Sequence, residues 1–244
     1  MKTRLDRLLV ERGLADSREK AQALIMAGEV LVNRQKASKP GQSVDEGVAV
    51  EVLARPPFVS RGGFKLAGAL QRFAIDPAGK VCLDIGSSTG GFTDVLLQAG
   101  AARVHAVDVG AGQLAWSIRT DPRVAVHENV NARELAFDTI GELVHLIVCD
   151  VSFISVTLIL PAAAVLLRPE GQMVILIKPQ FEAGRGQVGK GGIVRDAALH
   201  QAACERVRGA VEAQGFRADI IESPILGAEG NREFLLYASR ESDH

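Results

Sequence analysis

Four short apolar runs, each ending in a charged residue, constrain this chain more than any other feature. They are Val81-Cys82-Leu83-Asp84, Val104-His105-Ala106-Val107-Asp108, Leu146-Ile147-Val148-Cys149-Asp150 and Met173 to Lys178, and the last two are too apolar to lie on a surface. Helix-like stretches separate them, among them Thr93 to Ala99 and Ser155 to Leu167. Short continuous apolar strands alternating with helices predict an α/β fold, a parallel sheet with helices on both faces. Ligand sites of such sheets lie at the carboxyl ends of the strands, where Asp84, Asp108, Asp150 and Lys178 fall together. A charge that ends a buried strand beside a Gly-rich motif is a site candidate in its own right. Ile220-Ile221 and Phe234-Leu235-Leu236-Tyr237 read as final strands, paired as an antiparallel hairpin.

The first fifty residues follow a different pattern. Leu5, Leu8 and Leu9 give one helical face within residues 3–14, and Gly13 ends it. Asp16 or Ser17 caps a second helix that runs through Ala21, Leu24 and Ile25 to Gly28, with Glu19 set for a capping box if Asp16 is the cap. Val30-Leu31-Val32-Asn33 reads as a strand, and Val48, Val50 and Val52 alternate as another. Arg55-Pro56-Pro57 breaks the chain after this small α+β module. The expected organisation is a module at 1–53, a linker at 54–59 and the large domain at 60–244.

Net charge is −1, so bulk charge does not advertise nucleic acid. The distribution is less neutral: residues 1–40 hold nine Lys and Arg against five acids. That excess permits phosphate contact, with Arg4, Arg7, Arg18, Lys20 and Arg34 as candidates and Arg61 beyond the linker. The Gly-rich stretch with Arg185, Lys190 and Arg195 reads either as a phosphate-binding loop or as a mobile segment. Cys82, Cys149 and Cys204 are widely spaced, and the five histidines show no ligand spacing, so no metal is expected. The longest apolar stretch, Val156 to Leu167, is interrupted by Pro161 and falls short of the roughly 20 residues of a membrane span. With a polar N-terminus and no signal peptide, the chain reads as cytoplasmic, with no membrane association.

Asp84-Ile85-Gly86-Ser87-Ser88-Thr89-Gly90-Gly91-Phe92-Thr93 follows the first large-domain strand and opens a helix. Gly86 allows a tight turn, and Gly90-Gly91 let backbone approach a ligand. This is neither GxGxxG nor a P-loop, which would need its lysine. A strand-terminal Asp before the glycines suits a ligand with amine or hydroxyl donors better than a pyrophosphate. Asp108 ends the next strand, where an acid can take both ribose hydroxyls of a nucleoside. The combination points to S-adenosylmethionine.

Taken together, the motifs resemble a known family. The large domain is similar to the FtsJ-type ribose 2′-O-methyltransferases, and nearly the whole chain resembles the TlyA-type rRNA methyltransferases, also known as hemolysins. The resemblance rests on Val59-Ser60-Arg61-Gly62-Gly63-Phe64-Lys65-Leu66, Val151-Ser152-Phe153-Ile154-Ser155, Lys178-Pro179-Gln180-Phe181-Glu182, the segment Val188 to Asp196, and Gly230-Asn231-Arg232-Glu233-Phe234 after Ser223-Pro224-Ile225. At the N-terminus, Arg4-Leu5-Asp6, Ser17-Arg18-Glu19-Lys20-Ala21 and Gly28 to Asn33 resemble an S-four-like RNA-binding domain.

This resemblance implies a Rossmann-like methyltransferase sheet behind the RNA-binding module. It also implies a catalytic tetrad of Lys65, Asp150, Lys178 and Glu233. The cofactor loop falls on Asp84, Gly86, Ser88 and Gly90, with Asp108 on the ribose. Glu128-Asn129-Val130-Asn131-Ala132-Arg133 resembles a further cofactor segment, in which Val130 replaces the usual Thr and Asn131 is the candidate contact. The implied reaction is methyl transfer to a ribose 2′-hydroxyl, of cytidine in 16S or 23S rRNA, within assembled subunits or ribosomes and with no obligate protein partner. In that reaction Lys178 accepts the proton, Asp150 orients it, and Lys65 and Glu233 position the ribose. A non-catalytic RNA-binding or ribosome-assembly module and a pore-forming hemolysin are the competing classes. All four tetrad positions being occupied argues against the first, and the absence of a span against the second.

Overall fold

The computed structural model describes residues 2–53, 56–184, 186, 188–189, 191–227 and 229–240. The chain folds as two compact units, 1–57 and 58–244. Ala54 and Arg55 of the expected linker, and Arg185 and Lys190 of the Gly-rich stretch, lie outside the described residues.

In the first unit, strand β1 (Lys2–Arg4) leads into helix α1 (Leu5–Glu11), followed by α2 (Arg18–Met26), β2 (Val30–Val32), β3 (Gln35–Lys36), β4 (Ser43–Asp45) and β5 (Val50–Val52). The start of the chain is therefore not all helix: Lys2 to Arg4 pair antiparallel with Ser43 to Asp45. Ser17 caps α2, its side chain accepting from the Lys20 amide at 3.2 Å, so the third helical position is Lys20 and Glu19 closes no capping box. Leu5, Leu8, Leu9, Ala21, Ile25 and Val30 form the core. Asp6 is buried beside it and accepts from Arg4, Arg18 and Gln22. The Arg4 guanidinium, with help from Gln22 and Arg18, holds the Asp6 carboxyl far below the usual carboxylate range.

The second unit holds α3 (Gly62–Arg72), β6 (Val81–Ile85), α4 (Gly91–Gln98), β7 (Arg103–Val107), α5 (Trp116–Arg119), β8 (Val124–His127), α6 (Phe137–Ile140), β9 (Val144–Cys149), α7 (Leu160–Ala164), β10 (Leu167–Ile177), α8 (Pro179–Glu182), α9 (Ala197–Glu212), β11 (Phe216–Glu222) and β12 (Phe234–Arg240). Seven strands form one sheet in the order β11-β12-β10-β9-β6-β7-β8. Neighbours from β10 to β8 run parallel, and β12 is antiparallel to both β10 and β11.

Side chains alternate across this sheet with period two. Leu83, Ile85, Ile147, Cys149, Ile175 and Ile177 join one core, covered by α9 through Val207 and Val211. Cys82, Val104, Leu146, Val148, Val174 and Leu176 join the other, covered by α3 and α4 through Leu66, Leu70, Phe92 and Leu96. Both faces are buried, which is why the strands read as continuous apolar runs. The helix expected over Ser155 to Leu167 is shorter: a 3₁₀ turn at Val156–Leu158 precedes α7, and β10 already begins at Leu167. Strand order reverses at β6, where β7 lies on one side and β9 on the other. The chain leaves β6 and β9 toward opposite faces of the sheet, which opens a crevice at its carboxyl edge.

Candidate active site

Two cavities open along that edge, of about 390 Å³ and about 530 Å³. Both are lined by Gly86, Ser88, Asp150 and Ser152, so they meet at the switch point. Lys65 and Lys178 line the smaller one, and Asp108, Asn131 and Phe153 the larger.

The loop after β6 is shaped by left-handed backbone. Gly86 (φ +83°) and Gly90 (φ +94°) adopt it at little cost, and Ser88 (φ +47°) adopts it as well. The Gly86 and Ser87 amides donate to the Val107 carbonyl, fastening the turn to β7. A Cβ at Gly86 would run into the Asp150 carbonyl, so the two loops touch backbone to backbone. Asp108, one residue past β7, accepts from the Ser88 amide at 2.8 Å and the Gly110 amide at 2.7 Å. Asn131 accepts from the Arg133 amide at 3.2 Å and donates to Glu134 at 2.9 Å.

Asp84 occupies a different place from the other loop residues. It is the fourth residue of β6 rather than its end, and alternation puts it on the face of Cys82, toward α4. There it is wholly buried, lines neither cavity and accepts from the Thr93 hydroxyl at 2.6 Å. Burial, with smaller contributions from Asp150 and Asp108, raises its carboxyl to about 7. A raised carboxyl binds its proton more tightly in the folded state. It therefore favours folding below about pH 4, and that contribution is lost as pH rises toward 7. Replacing Asp84 with Asn is expected to flatten the fall in unfolding free energy between pH 5 and pH 8. The flattening between those two pH values is at most about 3 kcal/mol, and denaturation at both measures it.

Four charges from distant parts of the chain converge as two ion pairs. Lys65, in α3, meets Glu233, the residue before β12, at 2.6 Å, and both side chains are buried. Lys178, the residue after β10, meets Asp150, the residue after β9, at 2.6 Å. Asp150 Oδ1 and Glu233 Oε2 have no other partner among the described residues. Lys178 Nζ also donates to Ser152 Oγ at 2.8 Å and lies 6.0 Å from the Phe181 ring.

Glu182 and Asn231 help to hold this arrangement without being site candidates from the sequence, whereas Phe153 reads from the sequence either as a stacking residue with Phe181 or as core packing. Glu182, on α8 and only 3% exposed, accepts from Ser155 Oγ at 2.6 Å and from the Val156 amide at 2.8 Å. It pins the loop after β9 to the helix that follows Lys178. Phe153 in that loop is 91% exposed at φ +66°, with its ring 5.2 Å from Phe181. A bulky residue in left-handed backbone persists only where its surroundings hold it, and such strain gathers at functional sites. Asn231, buried, accepts from the Val194 amide and donates to the Gly192 carbonyl, fastening the described part of the Gly-rich stretch near Glu233.

The basic candidates are placed variously. Arg4 and Arg18 both rest on Asp6, each about half exposed. Arg7 pairs with Glu11 at 2.8 Å and Lys20 with Asp16 at 2.5 Å, both one helical turn apart on the surface. Such exposed pairs hold weakly, so a phosphate can displace them at small cost. Arg34 stands exposed at φ +67° between β2 and β3. Arg61 lines the smaller cavity and donates to the Leu226 carbonyl at 3.3 Å. Among the described residues, no helix is long and apolar enough to cross a membrane.

Residues 58–240 match the FtsJ-like methyltransferase model, and residues 3–50 match the S4 domain model. The 16S/23S rRNA (cytidine-2′-O)-methyltransferase TlyA of Mycobacterium tuberculosis is 46% identical, the match spanning 99% of this chain and 91% of that one. Hemolysin A of Brachyspira hyodysenteriae is 43% identical over 96% of this chain and 98% of its own. A solved structure from Streptococcus thermophilus, described as a hemolysin, is 44% identical with a TM-score of 0.74, covering 99% of this chain and 89% of that one. The chain therefore belongs to the FtsJ-like methyltransferase family, with an S4 domain ahead of the catalytic fold.

Proposed function

We propose that this protein transfers a methyl group from S-adenosylmethionine to the ribose 2′-hydroxyl of a cytidine in 16S or 23S rRNA. The observation that carries this reading is the pair of ion pairs, Lys65–Glu233 and Lys178–Asp150, whose lysines line the smaller cavity and whose Asp150 lines both. The high identity to a TlyA methyltransferase supports the same reaction and substrate.

The larger cavity fits the methyl donor. The left-handed turn at Gly86 lets a ligand approach backbone, Asp108 offers a carboxylate to ribose hydroxyls, and Val107, Val109 and Ile154 give an apolar wall for a purine. Asp150 at the junction favours a cation there. We assign Gly86, Ser88, Asp108 and Asn131 to hold the donor; Gly90, which lines neither cavity, shapes the turn through its left-handed backbone, and Asp84 sets the loop from below through Thr93. When bound, S-adenosylmethionine supplies a methyl group activated by its sulfonium.

The chain's residues do the rest. Lys65 fixes the ribose in the smaller cavity, and Glu233, buried behind it, holds the Lys65 ammonium in place. Lys178, oriented by Asp150, takes the proton of the attacking hydroxyl once its own amine is uncharged. Exposed Phe153 offers an aromatic face to a base. Holding acceptor and donor in line is worth up to roughly 7–11 kcal/mol. A general base adds roughly 10²–10⁴-fold in rate.

We propose further that residues 1–53 form the RNA-binding module, joined by 54–59 to a catalytic domain at 60–244. Arg4, Arg7, Arg18, Lys20 and Arg34 meet phosphate from the module, and Arg61 does so at the cleft. The setting is cytoplasmic, on assembled subunits or ribosomes, without an obligate protein partner. Transfer of radiolabelled methyl to separated small and large subunits, followed by nucleoside digestion, tests the reading. Label in 2′-O-methylcytidine is expected. Label in a methylated base, or none on either subunit, overturns it.

A further inference from the structure

Lys178 does not face the cleft freely. Its side chain is 11% exposed, and Nζ is held by Asp150 at 2.6 Å and Ser152 Oγ at 2.8 Å. Ser152 is exposed and lines both cavities, whereas Lys178 lines only the smaller. The serine hydroxyl thus stands with the amine on one side and the cavity junction on the other. Among the described residues no group accepts the Ser152 proton, so that proton is available for the amine or for a ligand. The position is held firmly. Phe153, the next residue, sits in left-handed backbone, and Glu182 clamps Ser155 and Val156 a few residues on.

We propose that Ser152 relays the proton from the acceptor hydroxyl to Lys178. The inference rests on the reading of the site as a ribose 2′-hydroxyl methylation centre. The 2.8 Å contact serves in either direction: Nζ donates while it carries three protons, and accepts from Ser152 once it has lost one. In the step itself, the acceptor oxygen forms a bond to the methyl carbon, and the carbon–sulfur bond breaks with its electron pair left on sulfur. The acceptor O–H bond breaks toward Ser152 Oγ as the Ser152 proton moves to the Lys178 lone pair. Serine is regenerated as a neutral hydroxyl, and the positive charge lost at sulfur reappears on Lys178.

Ser152→Ala and Ser152→Thr test the relay. Ser152 is exposed in a turn clamped by other residues, so neither variant removes a core contact. In single-turnover transfer to ribosomal subunits, Ser152→Ala is expected to fall about 100-fold, within the range of general-base catalysis. Ser152→Thr keeps a hydroxyl and is expected to stay within about fivefold of wild type. Dissociation constants for S-adenosylhomocysteine and for subunits are expected to be unchanged in both. The wild-type rate is expected to bow when plotted against deuterium fraction, because two protons move together, and the residual Ser152→Ala rate to vary linearly. In the ligand-free protein, hydrogen exchange at the Lys178 ammonium, read by nitrogen-15 NMR, is expected to quicken in Ser152→Ala and to hold in Ser152→Thr.

A Ser152→Ala variant at wild-type rate overturns the relay. So does a loss confined to the dissociation constants, a linear wild-type plot, or unchanged Lys178 exchange. Wild-type protein that labels a base, or nothing, brings down the reading of the site itself and the relay with it.

Discussion

Lys178→Ala is expected to lower methyl transfer by at least about 10²–10⁴-fold, the usual contribution of a general base. Affinity for S-adenosylhomocysteine is expected to stay within about twofold of wild type, since Lys178 does not line the cavity assigned to the donor. The alanine variant also leaves Asp150 without its ammonium, so loss of activity alone does not separate a base from an ion-pair partner. Lys178→Arg separates them. A guanidinium keeps the charge opposite Asp150 and cannot lose a proton at working pH. If Lys178 takes a proton, the arginine variant is as inactive as the alanine one while its thermal stability stays near wild type. Substantial turnover by Lys178→Arg would remove the base assignment and leave Lys178 as a fixed charge. Rate and affinity are read separately, by single-turnover transfer and calorimetry.

Parts of this site are legible in the sequence alone, for a physical reason. The buried runs Leu146 to Cys149 and Met173 to Ile177 carry no charge, so Asp150 and Lys178 mark the ends of β9 and β10 within one residue. The same reasoning misplaced the end of β6. Asp84 lies inside the strand, and Ile85 completes it, because Thr93 on α4 gives the buried carboxyl a donor. Lys65 and Glu233 carry no such local mark. One lies on an amphipathic helix and the other before an edge-side strand, and only the resemblance to a family joined them. The 2.6 Å contact between them spans most of the unit's sequence. Glu182 illustrates the same limit: a carboxylate on a four-residue helix reads as surface, yet Ser155 and the Val156 amide, more than twenty residues earlier, receive it in the interior. In the first unit, β1 is polar, with Lys2 exposed and Arg4 turned to Asp6, so nothing in its composition marks a strand. Its pairing with β4 comes from a segment some forty residues on.

The second large effect concerns Gly86. Gly86→Ala is expected to lower affinity for the methyl donor by at least about tenfold, a shift of about 1.4 kcal/mol or more. Two costs combine. The left-handed backbone (φ +83°) charges an L-residue about 1–2 kcal/mol. The added methyl also meets the Asp150 carbonyl, with its carbon at 2.9 Å and Val151 Cγ1 at 3.1 Å. Relief by backbone movement is hindered, because the Asp150 amide donates to the Ile85 carbonyl at 2.9 Å and Ile85 pairs with Cys149 in the sheet. The overlap therefore pushes apart the two loops that meet at the junction, displacing Asp150 from Lys178 and the turn from the donor. Gly79→Ala is the matched control. It has φ +69° but nothing within 4 Å of a new Cβ, so it isolates the backbone cost and is expected to leave donor affinity unchanged. Calorimetry with S-adenosylhomocysteine, together with denaturation of both variants, decides the matter. If Gly86→Ala binds as wild type does, the cradle assigned to the methyl donor is wrong. If both variants lose affinity equally, the loss belongs to general backbone strain rather than to the contact between Gly86 and Asp150.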